Sequence, residues 1–217
     1  MNLTTPGSRE ILKASSYGTG ELILNALNDG LRDFIITLGG SATNDGGLGM
    51  LSALGLKAVD SFGNELKSGG GDLSKIVSID NTTFDKRIHE CNFIIASDVQ
   101  NPFIGSNGAT RVFGPQKEAK EEEIERLEKG MKNWADVIYE HTDTKIHEVA
   151  GAGAAGGLGG ALHAFFPSEI KSGIDFIIDI INLEEHLQGA DLVITGEGRV
   201  DNQTFFGKTP LGVAKKS

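Results

Sequence analysis

Hydrophobic positions fall into two rhythms along this chain. Short continuous runs, Phe34-Ile35-Ile36-Thr37-Leu38, Phe93-Ile94-Ile95-Ala96 and Leu192-Val193-Ile194-Thr195, are rich in β-branched residues and do not alternate with polar ones. That pattern predicts strands covered on both faces, as in a parallel sheet. Between them lie stretches of helical period. Residues 20–29 read as a helix stopped by Gly30, residues 46–54 as a short helix of small residues, and residues 182–190 as another short one. The clearest is 116–139, where Ile124, Leu127, Met131, Trp134 and Ile138 form one stripe and Glu and Lys occupy the opposite face. Residues 56–66 read as a hairpin turning at Phe62-Gly63-Asn64, and residues 172–181 as a helix or an apolar strand. Helices alternating with buried strands imply an α/β fold, a mainly parallel sheet with flanking helices. The last residues, PLGVAKKS, open a helix with Pro210 in its first turn and stop after about two turns, as expected either for part of a longer protein or for a naturally short terminal helix.

The most informative residues follow the three strands. After the first comes Gly39-Gly40-Ser41-Ala42-Thr43-Asn44-Asp45-Gly46-Gly47; after the second, Ser97-Asp98-Val99-Gln100-Asn101-Pro102; after the third, Gly196-Glu197-Gly198-Arg199-Val200-Asp201-Asn202-Gln203. Ligands of open α/β sheets sit at the carboxyl ends of the strands. All three loops carry an Asp with polar neighbours. Gly39, Gly40, Gly46 and Gly47 permit positive φ and close approach of backbone to ligand. Ser41, Thr43 and Asn44 offer short polar groups, and a helix starting near Asp45 would present free N–H groups to an anion. A carboxylate in such a loop can accept a hydroxyl proton or hold Mg²⁺. Arg199 and Lys208 supply the positive charge that a transferring phosphoryl group needs.

Two glycine patterns invite other readings. Gly207-Lys208-Thr209 resembles the end of a P-loop, but the glycine required five residues earlier is Asn202, so no Walker motif is present. Gly151, Gly153 and Gly156 fit a dinucleotide-binding spacing, with Asp175 beyond them. The preceding IHEVA (146–150) makes a poor buried strand, which favours a small-residue loop and helix that lets neighbouring backbone approach closely.

Composition narrows the partners. A formal charge of −10 over 217 residues argues against a nucleic-acid or anionic-membrane surface. The thirty glycines, about twice the ordinary share, gather at turns rather than repeating. Five histidines show no ligand spacing, and the single Cys91 excludes an internal disulfide and reads as a structural thiol of a reducing compartment. MNLTTPGSREIL lacks the basic and apolar regions of a secretion signal, and no apolar run reaches transmembrane length, so the expected location is the cytoplasm.

The segments SYGTGELI (16–23), GGSATNDGGLGMLSALG (39–55), ASDVQNP (96–102), FGPQKEA (113–119), GAGAAGGLGGAL (151–162) and LVITGEGRVDNQTFFGKTPLGVA (192–214) resemble, in order, those of the bacterial type I glycerate kinases. The resemblance implies ATP-dependent phosphorylation of D-glycerate, usually to 2-phosphoglycerate, with Mg²⁺. It also implies a two-domain α/β protein in which one domain is inserted into a Rossmann-like one. Residues 1–190 would be the larger inserted, substrate-side domain, and 191–217 the last strand, its loop and a helix leading back to the Rossmann-like domain. In that setting Asp98 or Asp201 is the base or metal-orienting carboxylate, with Asp45 the next choice. Arg199 and Lys208 clamp phosphate or the glycerate carboxylate. Gly40, Ser41, Thr43 and Asn44 line the pocket, and Asn101, Glu197 and Gln203 bind glycerate hydroxyls. The metal ligands stay unassigned, and a homodimer stays open. The family's chains are longer at both ends, so an inactive isolated domain is the alternative expectation.

Overall fold

The computed structural model describes residues 10–67, 69–196 and 209–215. The first helix, α1 (Tyr17–Asn28), buries Ile23 and Leu27 and is stopped by Gly30 at φ +86°. It leads into β1 (Asp33–Thr37), and α2 (Leu48–Ala53) packs back on α1. The hairpin β2 (Lys57–Asp60) and β3 (Glu65–Leu66) turns where the sequence places it, and β4 (Ile76–Asp80) joins the other edge of β2 to form a small antiparallel sheet. β5 (Asn92–Ala96) pairs in parallel with β1, Phe34 opposite Phe93 and Thr37 opposite Ala96. β6 (Ser168–Lys171) adds to the far side of β5, also in parallel, giving the order β1-β5-β6.

Helices surround these sheets. A short α3 (Ala109–Phe113) and a 3-10 turn at Pro115–Lys117 precede α4 (Glu121–Thr142), which starts five residues later than the periodicity suggests because Pro115 and the left-handed Glu118 (φ +68°) break the run. Glu123 Oε2 accepts from the Lys120 N–H at 2.8 Å and fixes that start. The stripe Ile124, Leu127, Met131, Trp134, Ile138 is buried as expected. α5 (Ala154–Phe165), α6 (Gly173–Ile180), α7 (Leu183–Leu187) and α8 (Thr209–Ala214) complete the described chain. Stacked Phe34 and Phe93 (4.7 Å) and the edge-on pair Phe93 and Phe166 (4.9 Å) tie the parallel sheet into one core with α2, α4 and α5.

Two expectations are corrected. Residues 192–195 form no strand: Leu192 is 77 % and Ile194 87 % exposed, and the run joins neither edge of the sheet β1-β5-β6. β1 is covered on one face only. Its positions alternate between exposed and half-buried, Ile35 being 56 % exposed, because that side opens on a groove shared with α6 (Gly173–Ile180). A continuous apolar run reports a strand that can be covered on both faces; the cover itself must come from elsewhere. Cys91 is buried with its thiol on the Arg87 carbonyl (3.1 Å), and burial pushes its pKa up, which fits a structural thiol. No helix among the described residues is long and apolar enough to cross a membrane.

Candidate active site

The chemistry gathers at the carboxyl end of the parallel sheet, where β1 and β5 release their loops side by side. The Leu38 N–H still donates to Ala96 O (3.0 Å), and Ser97 N–H to Lys171 O (3.0 Å), so both loops leave from one fixed edge. Asp98 stands just beyond β5. Its Oδ1 accepts from the Gly173 N–H (2.8 Å) and the Ser172 hydroxyl (3.3 Å), so an exposed carboxylate is held at the first turn of α6. Thr37, Ser97, Asp98 and Gly173 share a groove of about 780 Å³ whose other wall is apolar, formed by Ile35 and the α6 isoleucines.

A second, smaller cavity of about 200 Å³ lies on the other side of the first loop. Gly39, Gly40 and Ser41 line it, facing Lys117 and Gln116 from the turn before α4. Leu38 and Gly39 line both spaces, so groove and cavity are neighbours across one loop. Lys117 is 2 % exposed, and its ammonium donates to the Thr43 carbonyl at 2.7 Å. Burial drives its pKa from 10.5 down to about 8, with Asp45 pulling the other way.

Asp45 is not available to a ligand. It is fully buried, and its Oδ2 accepts from the Ser16 N–H (2.7 Å), the Ser16 hydroxyl (2.9 Å) and the Gly49 N–H (3.2 Å), while Oδ1 accepts from the Gly47 N–H (3.2 Å). Ser16 Oγ in turn accepts from the Met50 N–H at 3.0 Å. The free N–H groups that a helix start offers are therefore spent on Asp45 and Ser16, and the anion site expected there does not exist. Burial raises the Asp45 pKa against the pull of these donors. The residue clasps α1 to α2, correcting its place among the candidate bases. Asn44 is buried too, donating to Thr110 Oγ1 (2.9 Å), with its Oδ1 unpartnered.

The remaining candidates divide. Gly40 and Ser41 line the small cavity; Thr43 contributes its carbonyl to Lys117. Asn101 lines neither space and shapes its own loop, donating to Asn107 O (2.8 Å) and accepting from the Gly153 N–H (3.0 Å). Glu197, Arg199, Asp201, Gln203 and Lys208 lie outside the described residues. No cluster of three or more His, Cys, Asp or Glu suited to a metal occurs among the described residues.

The glycine cluster 151–160 is a packing device, which removes the structural basis for a dinucleotide reading. No strand precedes it, and Ala155, Gly156 and Gly157 hold positive φ. A Cβ on Gly156 would meet the Thr43 carbonyl, and one on Gly153 the Pro102 carbonyl. The Gly46 N–H donates to Gly156 O at 3.0 Å. The cluster thus presses both strand-end loops into place. Lys117 is the buried charged side chain at this edge that spacing does not single out. Its one signal in sequence is position: it sits in a Gly-Pro turn ahead of α4 rather than on that helix's solvated face.

Fold and site together define an α/β protein whose polar strand-end loops gather at the carboxyl edge of a parallel sheet, where ligands of such sheets sit. A model of the glycerate kinase family matches residues 1–217, and the chain belongs to that family. It is 49% identical over 214 residues to glycerate 2-kinase of Escherichia coli strain K12, covering 99% of this chain and 56% of that protein. It is 45% identical to a glycerate kinase of Bacillus subtilis strain 168, over 99% of this chain and 56% of the relative. A crystal structure from Salmonella typhimurium LT2, provisionally described as glycerate kinase 2, superposes with a TM-score of 0.90 at 47% identity, over 100% of this chain and 58% of that one. The chain spans a little over half the length of these relatives.

Proposed function

We propose that this protein acts in ATP-dependent phosphorylation of D-glycerate, giving 2-phosphoglycerate and ADP in the cytoplasm. The observation that carries the reading is the 49% identity, over 214 residues, to an enzyme named glycerate 2-kinase. A glycerate hydroxyl attacks the γ-phosphorus in line as the bond to the β,γ-bridging oxygen breaks. Asp201 takes the hydroxyl proton, and Asp98, held by its Oδ1 at the start of α6, orients the reacting groups. Arg199 and Lys208 neutralise phosphate oxygens, while Glu197 and Gln203 bind glycerate hydroxyls. ATP suits the wide groove, the larger of the two spaces. Asp98 and the phosphate oxygens would hold Mg²⁺, which would supply further charge neutralisation.

Residues 1–190 form the substrate-side domain in this reading, and 191–217 lead towards a Rossmann-like domain of the longer relatives. Because the chain spans 56% of the Escherichia coli protein, a second reading stands beside the first: an isolated domain that binds glycerate weakly or not at all. Release of ADP from Mg·ATP by the 217-residue chain, dependent on D-glycerate, supports turnover. ADP release that is absent, or indifferent to D-glycerate, rejects it for this chain.

A further inference from the structure

Lys117 raises a question that packing does not answer. A lysine ammonium is among the groups least often buried, and isolated burial of a charge is strongly unfavourable. Yet Lys117 is 2 % exposed, its ammonium on the Thr43 carbonyl, and it lines one cavity with Gly39, Gly40 and Ser41. Its ammonium carries three N–H donors. The Thr43 carbonyl takes one, at 2.7 Å. The nearest buried carboxylate, Asp45, is already served by two N–H groups, a hydroxyl and a third N–H, so it needs no lysine to satisfy it. The rest of the small cavity is Leu38, Val99, Phe113 and Ala155 on one side and glycine backbone, Ser41 and Gln116 on the other. Among the described residues, Lys117 is the one charged residue that lines it.

The charge and size of that space select a ligand class. One ammonium balances one negative charge; a triphosphate carries several and requires a wider site with more cations. A cavity of about 200 Å³ also lies below the usual range for cofactor-sized ligands, and it suits a small acid of a few carbons. Its shared wall with the Asp98 groove, Leu38 and Gly39, would leave the rest of such an acid next to the carboxylate at the end of β5. We propose that Lys117, with the Gly39-Gly40-Ser41 loop, forms a built-in subsite for the carboxylate of the small hydroxy-acid substrate, holding it while its hydroxyls face the groove. The proposal rests on the glycerate kinase reading above and assigns that site's selectivity to a residue of the Gly-Pro turn.

The test separates the two. D-glycerate and glycerol, which share hydroxyls but differ in charge, are compared as acceptors and by calorimetry on the 217-residue chain, unaltered and as Lys117→Met. The expected result is that the unaltered chain prefers glycerate, and that Lys117→Met weakens glycerate by at least about 100-fold, the size of effect seen when one partner of a buried charge pair is removed. Glycerol and ATP should move less than about threefold, and the preference for the acid should vanish. Equal losses for glycerate and glycerol, or a loss confined to ATP, overturn the subsite while leaving the kinase reading intact. No response to glycerate from the unaltered chain overturns the reading and the subsite with it. Should Lys117→Met fail to fold, the unaltered chain still decides: glycerate affinity must fall as pH rises past the titration of Lys117 while glycerol affinity stays flat, and parallel profiles refute the assignment.

Discussion

Replacing Lys117 with Met should make the folded protein more stable, although it removes a hydrogen bond. The side chains are close in length, so the methionine fills the same channel between the Gly-Pro turn and the first strand-end loop. A pKa held at about 8, against an ordinary 10.5, means the fold disfavours the charged lysine by about 3 kcal/mol at pH 7. Losing the bond to the Thr43 carbonyl gives back about 1–2 kcal/mol. The net gain is about 1–2 kcal/mol, a rise in Tm of about 2–8 °C for a chain of this size. The pH dependence fixes the sign. Between the folded pKa near 8 and the ordinary 10.5 the unfolded chain binds the extra proton, so the stability of the unaltered protein climbs with pH through that window. The advantage of the methionine variant therefore shrinks over the same window and disappears above it. Urea unfolding of both proteins at pH 7 and near pH 10.5 measures this. A variant less stable at pH 7 by 2 kcal/mol or more would show that Lys117 is a brace of the fold, and the reasoning from its burial would fail.

Three further outcomes follow from named contacts. Asp45→Ala orphans three N–H groups and the Ser16 hydroxyl in a dry site, and should cost about 4 kcal/mol or more in urea unfolding; a cost under about 1 kcal/mol would contradict the clasp between α1 and α2. Gly156→Ala, at φ +70° and against the Thr43 carbonyl, should cost at least about 2 kcal/mol, whereas Gly63→Ala, at φ +83° in an open turn, should lose only about 1 kcal/mol; thermal melts that rank them the other way would refute the packing role. Asp201→Ala should lower kcat for glycerate phosphorylation by at least about 100-fold with KM for ATP little changed, and an unaltered kcat removes Asp201 as the proton acceptor.

Local pattern carried much of this architecture. The stripe Ile124 to Ile138 is a single-helix property, and it survives intact in α4. The two runs that become β1 and β5 pair in parallel, residue for residue, as continuous apolar strands should. What failed depended on partners distant in sequence. The run 192–195 has the composition of a strand but joins neither edge of the parallel sheet, and composition cannot dictate pairing. β6, reading Ser168-Glu169-Ile170-Lys171, lacks an apolar run altogether and is a strand because β5 offers it backbone partners. At the site the same division holds. Gly39, Gly40, Ser41 and Asp98 reach the two cavities because they follow strands, a relation visible in sequence. Asp45 looked like its neighbours, but Ser16, twenty-nine residues earlier, closes over it. Lys117 lies seventy-four residues from the carbonyl it meets, and no spacing rule connects the two.

The product made from D-glycerate tests the proposed kinase activity most directly. Incubation of the chain with D-glycerate and Mg·ATP, followed by phosphorus–proton correlation NMR, identifies any new phosphate ester and the carbon that bears it. The expected result is a glycerate-dependent signal coupled to the proton on carbon 2, appearing as ADP accumulates. ATP hydrolysis to inorganic phosphate alone, or no glycerate ester at all, would contradict it.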